Sequence, residues 1–209
     1  MLLDVFQTRK LLDKYRIPTA TTRLCKDFGG VLEKATELSF PLVLKVSSTD
    51  ASHKTERGLV QLGIHSLDEL SLAFKQIEKK SAGLKVDAYI LQEQFKGVEL
   101  IIGGKTDSVF GQTMLFGSGG ILTELVGDYA IRVTPLTKKD ALQMIHETKA
   151  GAFVEGFRGR KVSETALVNL LLKTSELLEK EPQITELDFN PVMANEEKAV
   201  VVDARVVVK

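Results

Sequence analysis

The sequence predicts an α+β fold, because strand-like runs occur in hairpin-like pairs and are separated by amphipathic helices. The apolar run 41–46 and the alternating run 59–64 flank a polar loop, a pattern typical of two strands and their connection. The capping-box sequence Ser66-Leu67-Asp68-Glu69 opens an apolar stripe with helical spacing. Pairing between neighbouring runs favours α+β over a doubly wound parallel sheet.

The composition is that of an ordinary soluble core, arranged as one domain or two small subdomains. The chain has 209 residues, 44% of them hydrophobic, and its 28 basic and 28 acidic side chains give no formal net charge. This balance favours neither nucleic acid nor an acidic membrane surface as a partner. The apolar stretches are too short to span a bilayer, and the N-terminus has no signal-peptide pattern. A single cysteine fits a reducing compartment, so we expect a cytoplasmic protein.

In the first half of the chain we predict alternating short helices and strands. The first helix ends before Pro18 and offers Phe6, Leu11, Leu12 and Tyr15 as core contacts. The predicted helices cover residues 4–15, 29–38 and 66–80, and the predicted strands cover 20–25, 42–47, 59–64 and 86–95.

In the second half, strands again surround two helices. The predicted strands cover 98–103, 112–116, 129–134, 184–189 and 199–208, and the predicted helices cover 137–149 and 163–179. Residues 93–99 look like a hinge that crosses from one sheet to a second, with a plain hairpin as the alternative. A hinge of this kind can hold adenine through backbone groups, while an acid takes the ribose hydroxyls.

The loop over residues 48–58 combines a histidine with hydroxyl groups, cations and a glycine, which suits phosphate binding. A neutral imidazole at His53 can attack phosphorus, and Lys54 can neutralise charge on the migrating oxygens. Gly58 lets the backbone turn so that N–H groups face an anion. The alternative is an exposed histidine without a task. Lys45 lies on the preceding strand, where a solvated sheet face is the alternative explanation.

A second group of polar residues lies near the C-terminus. Glu186, Asp188 and Asn190 share one side of a strand because side chains alternate. Asp203 interrupts the apolar run 200–204, where a carboxylate is unfavourable unless it is paired or bound to metal. Hard oxygen ligands of this kind suit Mg²⁺ together with nucleotide phosphates. A solvated strand edge is the alternative.

These features together resemble the beta subunit of ADP-forming acetyl-CoA synthetase, in the family's order and over nearly the whole chain. The resemblance implies an ATP-grasp fold, with α+β subdomains over residues 1–94 and 95–209 that clasp a nucleotide. It also implies the reaction acyl-CoA + ADP + phosphate ⇌ acid + CoA + ATP. The motifs that carry it are Leu44-Lys45-Val46-Ser47-Ser48, His53 to Gly58, Gly97 to Gly104, Phe116 to Gly120, Arg132 to Leu136, Gly156 to Arg160 and Glu186 to Val192.

The same resemblance implies a role for each matching residue. His53 is expected to be a phosphohistidine that passes the phosphoryl group to ADP, and Asp188 to orient it and stabilise its charged form. Asn190 and Asp203 are the expected Mg²⁺ ligands. The expected nucleotide-binding residues are Lys45, Ser47, Ser48, Lys54 and Gly58 at the phosphates, Glu93, Gln94 and Phe95 at adenine, and Glu99 at the ribose or phosphates.

An ATP-dependent ligase of this kind needs a second component. The sequence contains no recognisable CoA site or acyl pocket, so we expect a CoA-binding alpha subunit or fused domain with its own phosphohistidine, and hence a heteromer. A regulatory nucleotide-binding ATP-grasp module without catalysis is the alternative function, and a structural scaffold is a third. Two positions depart from the family pattern: Thr49 replaces a proline, and Leu59 replaces the second glycine of a pair.

Overall fold

The computed structural model describes residues 1–48, 58–119 and 127–209. In chain order its elements are α1 (Val5–Lys14), β1 (Thr22–Cys25), α2 (Phe28–Ala35), β2 (Leu42–Ser47), β3 (Val60–Ile64), α3 (Leu67–Lys80), β4 (Ala88–Glu93), β5 (Val98–Asp107), β6 (Gly111–Ser118), β7 (Tyr129–Val133), α4 (Lys138–Glu147), α5 (Gly151–Glu155), α6 (Glu164–Lys180), β8 (Ile184–Ala194), β9 (Ala199–Val201) and β10 (Ala204–Val208). The α+β fold class predicted from the sequence is confirmed.

The chain forms two compact units. The small unit contains residues 20–95 with 4–6, and the large unit contains residues 96–209 with 1–3 and 7–19. The proposed subdomain boundary at 94/95 stays a prediction, and most of α1 belongs to the large unit. In the described part of the chain, no helix has both the length and the apolar character needed to cross a membrane.

The small unit is an antiparallel sheet in the order β1-β4-β2-β3, with α2 and α3 against one face. Both helices begin at a side-chain cap: Asp27 accepts the Gly30 N–H at 2.8 Å, and Ser66 accepts the Glu69 N–H at 3.2 Å. The Glu69 carboxylate accepts the His65 N–H, so the predicted capping box closes one residue earlier than the sequence indicates. The core that these elements enclose includes Val31, Leu42, Leu44, Val46, Leu70, Phe74, Ile77 and Leu91.

The large unit has a sheet in the order β10-β8-β5-β6-β7, with β9 also paired to β8. Leu187 and Phe189 of β8 point into its core and are fully buried, as are the β5 and β6 residues Ile102 and Phe116. Helices α4 and α6 supply the other side of this core, through residues that include Met144, Ile145, Leu167, Leu170, Leu171 and Leu178.

Four expectations from the sequence are wrong in detail. The hairpin alternative at residues 93–99 is wrong, because β4 pairs with β1 and β2 while β5 pairs with β6 and β8. Strand β8 continues beyond Pro191, and α5 is an additional helix. Phe6 is 51% exposed and is not a core contact. The crossing from one sheet to the other is the predicted hinge.

The hinge contains a glycine, Gly97, whose lack of a side chain is required. A Cβ on Gly97 would lie 2.3 Å from the Ala194 carbonyl oxygen, a backbone atom that cannot move aside cheaply. The start of β5 therefore packs directly on the end of β8.

We expect Gly97→Ala to lower the free energy of unfolding by about 2–3 kcal/mol, because the clash forces the backbone apart. Gly29→Ala is the matched control, since its Cβ would lie 3.4 Å from the nearest atom and alanine favours the helix that contains it. Urea unfolding of the two variants measures the difference. Equal stability of the two variants would contradict this packing.

Candidate functional site

The acidic group formed by Asp188, Asn190 and Asp203 begins on β8, on the face of the sheet opposite the core. Leu187 and Phe189 point inward, so Asp188 between them points outward and is half-buried. In the register of the sheet, Asp188 lies opposite Gly103 of β5 and Arg205 of β10. Gly103 adds no side chain beside the carboxylate, which leaves room above this part of the sheet.

A β-bulge places Asn190 beside this carboxylate. Between the pairs Ile102–Phe189 and Leu100–Val192, a single β5 residue faces both Asn190 and Pro191. Both of these residues therefore lie outside the core, and Asn190 is exposed. A bulge can re-aim a side chain while the strand on either side of it stays paired, which is what happens here.

Asp203 lies next to Asn190 across the bend between β9 and β10. The Asn190 N–H donates to the Asp203 carbonyl oxygen at 3.2 Å, and a carboxylate oxygen of Asp203 accepts the Ala204 N–H at 3.0 Å. The prediction that Asp203 lies within a strand is wrong, since it is half-buried in the bend. The structure nevertheless brings Asp188, Asn190 and Asp203 to one part of the sheet.

The electrostatics of this group favour a cation. Burial raises the pKa of Asp188 above its ordinary value, the nearby Asp203 and Glu186 raise it further, and Arg205 acts in the opposite direction. Among the described residues, no three histidine, cysteine, aspartate or glutamate side chains form a metal cluster. One carboxylate and one amide oxygen, supplemented by phosphate oxygens and water, form the kind of ligand set that Mg²⁺ takes.

The β2 strand of the small unit carries a buried cation. Lys45 is only 6% exposed, and Ser47 and Ser48 are buried after it on the chain. In the register with β4, Lys45 faces Ile90 on the sheet face away from α2 and α3. The solvated-face explanation for Lys45 is therefore wrong. A buried ammonium group needs compensating polar or charged groups, and Lys45 already has an interaction of this kind. Its assignment to nucleotide phosphates stays a prediction.

The hinge residues use their side chains to hold neighbouring loops. A Glu93 carboxylate oxygen accepts the Ser39 N–H, and the Gln94 side-chain oxygen accepts the Gly63 N–H, each at 2.8 Å. These hydrogen bonds occupy the side chains of Glu93 and Gln94, two of the residues predicted to line the adenine site. Phe95, which follows them, is half-buried.

Gly58 has φ +66°, a left-handed conformation that favours glycine, so the turn predicted from the sequence is present. His53 and Lys54 lie outside the described residues, within 49–57.

Glu99 lines a cavity of about 730 Å³ in the large unit, at the ends of β5 and β6. In the same cavity, Asp128 accepts the Ser118 hydroxyl and, at 3.0 Å, the Lys149 N–H. Sequence reasoning missed this cavity. Its signals were three of the motifs that carry the family resemblance, Gly97 to Gly104, Phe116 to Gly120 and Gly156 to Arg160. For Arg158 and Arg160 the sequence left contact with phosphate or with another subunit open. The lining is Gly97, Val98, Glu99, Ser118, Gly119, Asp128, Lys149, Ala152, Phe153, Phe157 and Arg160.

With this geometry established, comparison with known proteins identifies the class. The ATP-grasp domain family matches residues 1–208, so the chain belongs to the ATP-grasp family. Within that family it groups with ADP-forming acetate–CoA ligases. It is 35% identical to the beta subunit of acetate–CoA ligase [ADP-forming] I of Pyrococcus furiosus, over 96% of this chain and 89% of that subunit.

A longer relative and a solved structure agree with this grouping. Acetate–CoA ligase [ADP-forming] II of Archaeoglobus fulgidus is 38% identical over the whole of this chain, which spans 30% of that enzyme. The dinucleotide-forming acetyl-coenzyme A synthetase 1 of Ca. Korarchaeum cryptofilum, solved with coenzyme A and Ca-AMPCP, is 34% identical with a TM-score of 0.94, over all of this chain and 93% of that one.

A second structure of the same Korarchaeum enzyme contains Mg-AMPPCP, with a phosphohistidine segment that points towards the nucleotide-binding site. It is 33% identical to this chain, has a TM-score of 0.86 and is covered over 92% of its length. The resemblance found in the sequence, together with the ATP-grasp fold, is confirmed.

We expect Asp188→Asn to stabilise the fold by about 1 kcal/mol at neutral pH, or roughly 2–4 °C in Tm. The pKa of Asp188 lies above its ordinary value, so ionisation disfavours the folded state as pH rises past that value. The variant cannot ionise. Its advantage should therefore disappear at about pH 4 and below, where the carboxyl group is protonated in both states.

Thermal unfolding across this pH range measures the difference. Glu196→Gln, on an exposed loop and not among the groups that shift the pKa of Asp188, serves as the control. A variant that is less stable at neutral pH, or a gain that persists unchanged in acid, contradicts the electrostatic explanation.

Proposed function

We propose that this chain is the nucleotide-binding subunit or domain of an ADP-forming acyl-CoA synthetase, with acetyl-CoA as the reference substrate. The observation that carries the proposal is the group formed by Asp188, Asn190 and Asp203, which the β8 bulge and the Asn190–Asp203 hydrogen bond hold together. The names of the relatives supply the reaction class. ATP and ADP are the proposed substrates, and these nucleotides fit a cytoplasmic location.

The step proposed for this chain is phosphoryl transfer through His53. The N–P bond of phosphorylated His53 breaks, and a new P–O bond forms to a terminal oxygen of ADP. This gives ATP and returns the lone pair to the imidazole nitrogen. Asp188 orients the ring and stabilises its protonated form, and its electrostatic surroundings favour a nearby positive charge. Phosphoryl transfer depends mainly on positioning and on neutralisation of charge. Lys45 and Lys54 are proposed to supply the positive charge.

The remaining predicted residues hold the nucleotide. Lys45, with Ser47, Ser48, Lys54 and the backbone turn at Gly58, is proposed to bind phosphates. Since the Glu93 and Gln94 side chains hold Ser39 and Gly63, we assign them to shaping the adenine site, with contact to adenine made through the backbone and Phe95. Glu99 is proposed to approach the ribose.

Asn190 and Asp203 are the proposed Mg²⁺ ligands. When bound, this ion neutralises charge on the nucleotide phosphates. The Mg-AMPPCP of the Korarchaeum enzyme supports the choice of metal. The geometry supports it as well, because the β8 bulge and the Asn190–Asp203 hydrogen bond bring the two proposed ligands together beside the Asp188 carboxylate.

A CoA-binding partner is part of this proposal. The Pyrococcus relative is named as a beta subunit, and this chain spans less than a third of the Archaeoglobus relative, so other parts of those enzymes lie outside the matched region. We propose a separate alpha subunit or fused domain that carries its own phosphohistidine. The relatives compared here bear the names of ligases, and no observation supports the regulatory alternative.

Incubation with ATP labelled at the γ-phosphate and Mg²⁺ tests the carrier directly. We expect an acid-labile label on the chain that His53→Ala abolishes and that the matched variant His65→Ala keeps. Absence of label from the unmodified chain overturns the proposal, and a label that survives in His53→Ala assigns the carrier elsewhere.

The metal ligands are tested by thermal shift as well as by labelling. Mg-ADP at a hundredfold excess over its Kd should stabilise the chain by about 2.7 kcal/mol through mass action. Asp203→Asn should move this stabilisation to higher Mg²⁺ concentration, while Glu196→Gln, on an exposed loop, should not. An unchanged Mg²⁺ dependence in Asp203→Asn would exclude this residue as a ligand.

A further inference from the structure

A short basic turn projects from the large unit between α5 and α6. The Arg160 N–H donates to the Phe157 carbonyl oxygen at 3.0 Å, and the two residues between them, Arg158 and Gly159, have φ of +51° and +72°. Two successive left-handed residues define a tight turn of the primed type. Its geometry places Arg158 at the tip.

Arginine is an unusual residue for this position. Left-handed conformations favour glycine, asparagine and aspartate, so a long side chain there raises the energy of the fold by about 1 kcal/mol or more. The strained Arg158 is not explained by core packing, because it is exposed. Backbone strain of this kind is frequent at binding sites, which makes Arg158 a candidate for one.

The turn combines an exposed aromatic ring with unpaired positive charge. The Phe157 ring is 48% exposed, lies edge-on to the Phe153 ring at 5.9 Å, and has the Arg158 guanidinium at 5.2 Å from its centroid. Arg158, Arg160 and Lys161 are all exposed. In the described ranges, none of these three cations forms a salt bridge, whereas Arg9, Arg23, Arg132 and Lys180 each have a carboxylate partner.

The turn also forms one wall of the 730 Å³ cavity. Phe153 and Phe157 give that wall its apolar character, and Arg160 and Lys149 lie on the same lining. Of the two acids in the lining, Asp128 is engaged by the Ser118 hydroxyl and by a backbone N–H, while Glu99 is exposed and belongs to the proposed ribose contact. The lining next to the turn therefore combines two aromatic rings with two cationic residues.

We propose that the basic turn surface, formed by Phe153, Phe157, Arg158, Arg160 and Lys161, is the docking surface for an acidic segment of the CoA-binding partner. An apolar side chain of that segment enters the cavity against Phe153 and Phe157, and flanking carboxylates pair with Arg158 and Arg160. This inference rests on the proposed function, in which such a partner exists. Charge complementarity identifies the occupant, since residues 156–161 carry three cations and no acid in a chain without net charge.

Arginine and aromatic residues are the types that dominate binding energy at protein interfaces, and here they form one contiguous turn. Nucleic acid is a less suitable occupant, because a single turn on a neutral chain lacks the extended basic surface that phosphate backbones require.

The experiment measures binding of the isolated chain to the purified CoA-binding subunit by isothermal titration calorimetry. We expect Arg158→Glu/Arg160→Glu to raise the Kd at least tenfold and to weaken the dependence of Kd on salt. Lys138→Glu/Lys139→Glu is the matched control: it reverses two exposed lysines at the other end of α4 and should leave the Kd unchanged.

The apolar part of the surface has its own pair of variants. Phe157→Ala should raise the Kd about tenfold, while Phe110→Ala should not. Phe110 is 67% exposed in the β5–β6 turn, roughly 30 Å along β5 from the cavity. Circular dichroism and thermal unfolding confirm that each variant is folded. An unchanged Kd in both turn variants, an equal loss in the controls, or failure of the unmodified chain to bind the subunit overturns the docking proposal.

The labelling assay separates this inference from the proposed function. Arg158→Glu/Arg160→Glu should retain labelling of the isolated chain by ATP, because the transfer is assigned to His53 and Asp188 and neither arginine is assigned to the nucleotide or the metal. Glu99, on the same cavity lining as Arg160, keeps its side chain in this variant. Loss of partner binding with intact labelling supports both proposals. Normal binding in every variant with intact labelling overturns the docking surface alone, and an unlabelled wild-type chain that still binds the subunit overturns the function alone.

Discussion

Alternation of side chains along β8 is the constraint on which the large unit and its acidic group both depend. Leu187 and Phe189 are buried in the core, and Asp188 between them has no position available except on the opposite face. A register slip of one residue would bury the carboxylate and expose Phe189, the one aromatic residue of the strand. The core therefore fixes the position of the acidic group, and no separate interaction is needed to place Asp188.

The acidic group is electrostatically unfavourable in the absence of a cation. Asp188 is half-buried beside Asp203 and Glu186, and its raised pKa records the cost of ionisation there. The small unit shows the opposite charge in a similar situation, since Lys45 is an ammonium group on a buried strand. Charged groups that are buried or half-buried are more frequent at functional sites than in structural cores. In each unit they lie on the sheet face opposite the helices that cover the core.

Periodicity and capping residues predicted most of the fold, because these signals are local. The strand 42–47, the start of α3 at Ser66 and the outward side of Asp188 all follow from spacing of two or 3.6 residues. The continuation of β8 beyond Pro191 was missed because proline usually ends a central strand. The bulge removes that difficulty, since one β5 residue faces both Asn190 and Pro191. Bulges depend on the partner strand, which local sequence does not reveal.

The candidate site shows the same division between local and long-range information. Alternation along the strand predicts that Asp188 and Asn190 lie on the same side. The contact of Asn190 with Asp203 depends on a bend between β9 and β10, where the sequence predicts one continuous strand. The burial of Lys45 likewise depends on what covers the second face of its sheet. The spacing of residues along the strand does not reveal this, so it could not distinguish a buried lysine from a solvated one. Roles for His53, Asn190 and Asp203 came from the family resemblance, because residue type and spacing do not distinguish a metal ligand from a solvated acid.

The relatives of this chain occur both as a separate subunit and as part of a longer chain, and this difference changes what a docking surface must provide. A covalent link of suitable length holds two domains at an effective concentration in the millimolar range, so weak contacts suffice. Separate subunits meet only at their cellular concentrations and need buried anchors with a slower dissociation rate. An exposed aromatic ring held between Phe153 and a strained Arg158 is an anchor of the second type, because its own unit gains little from it.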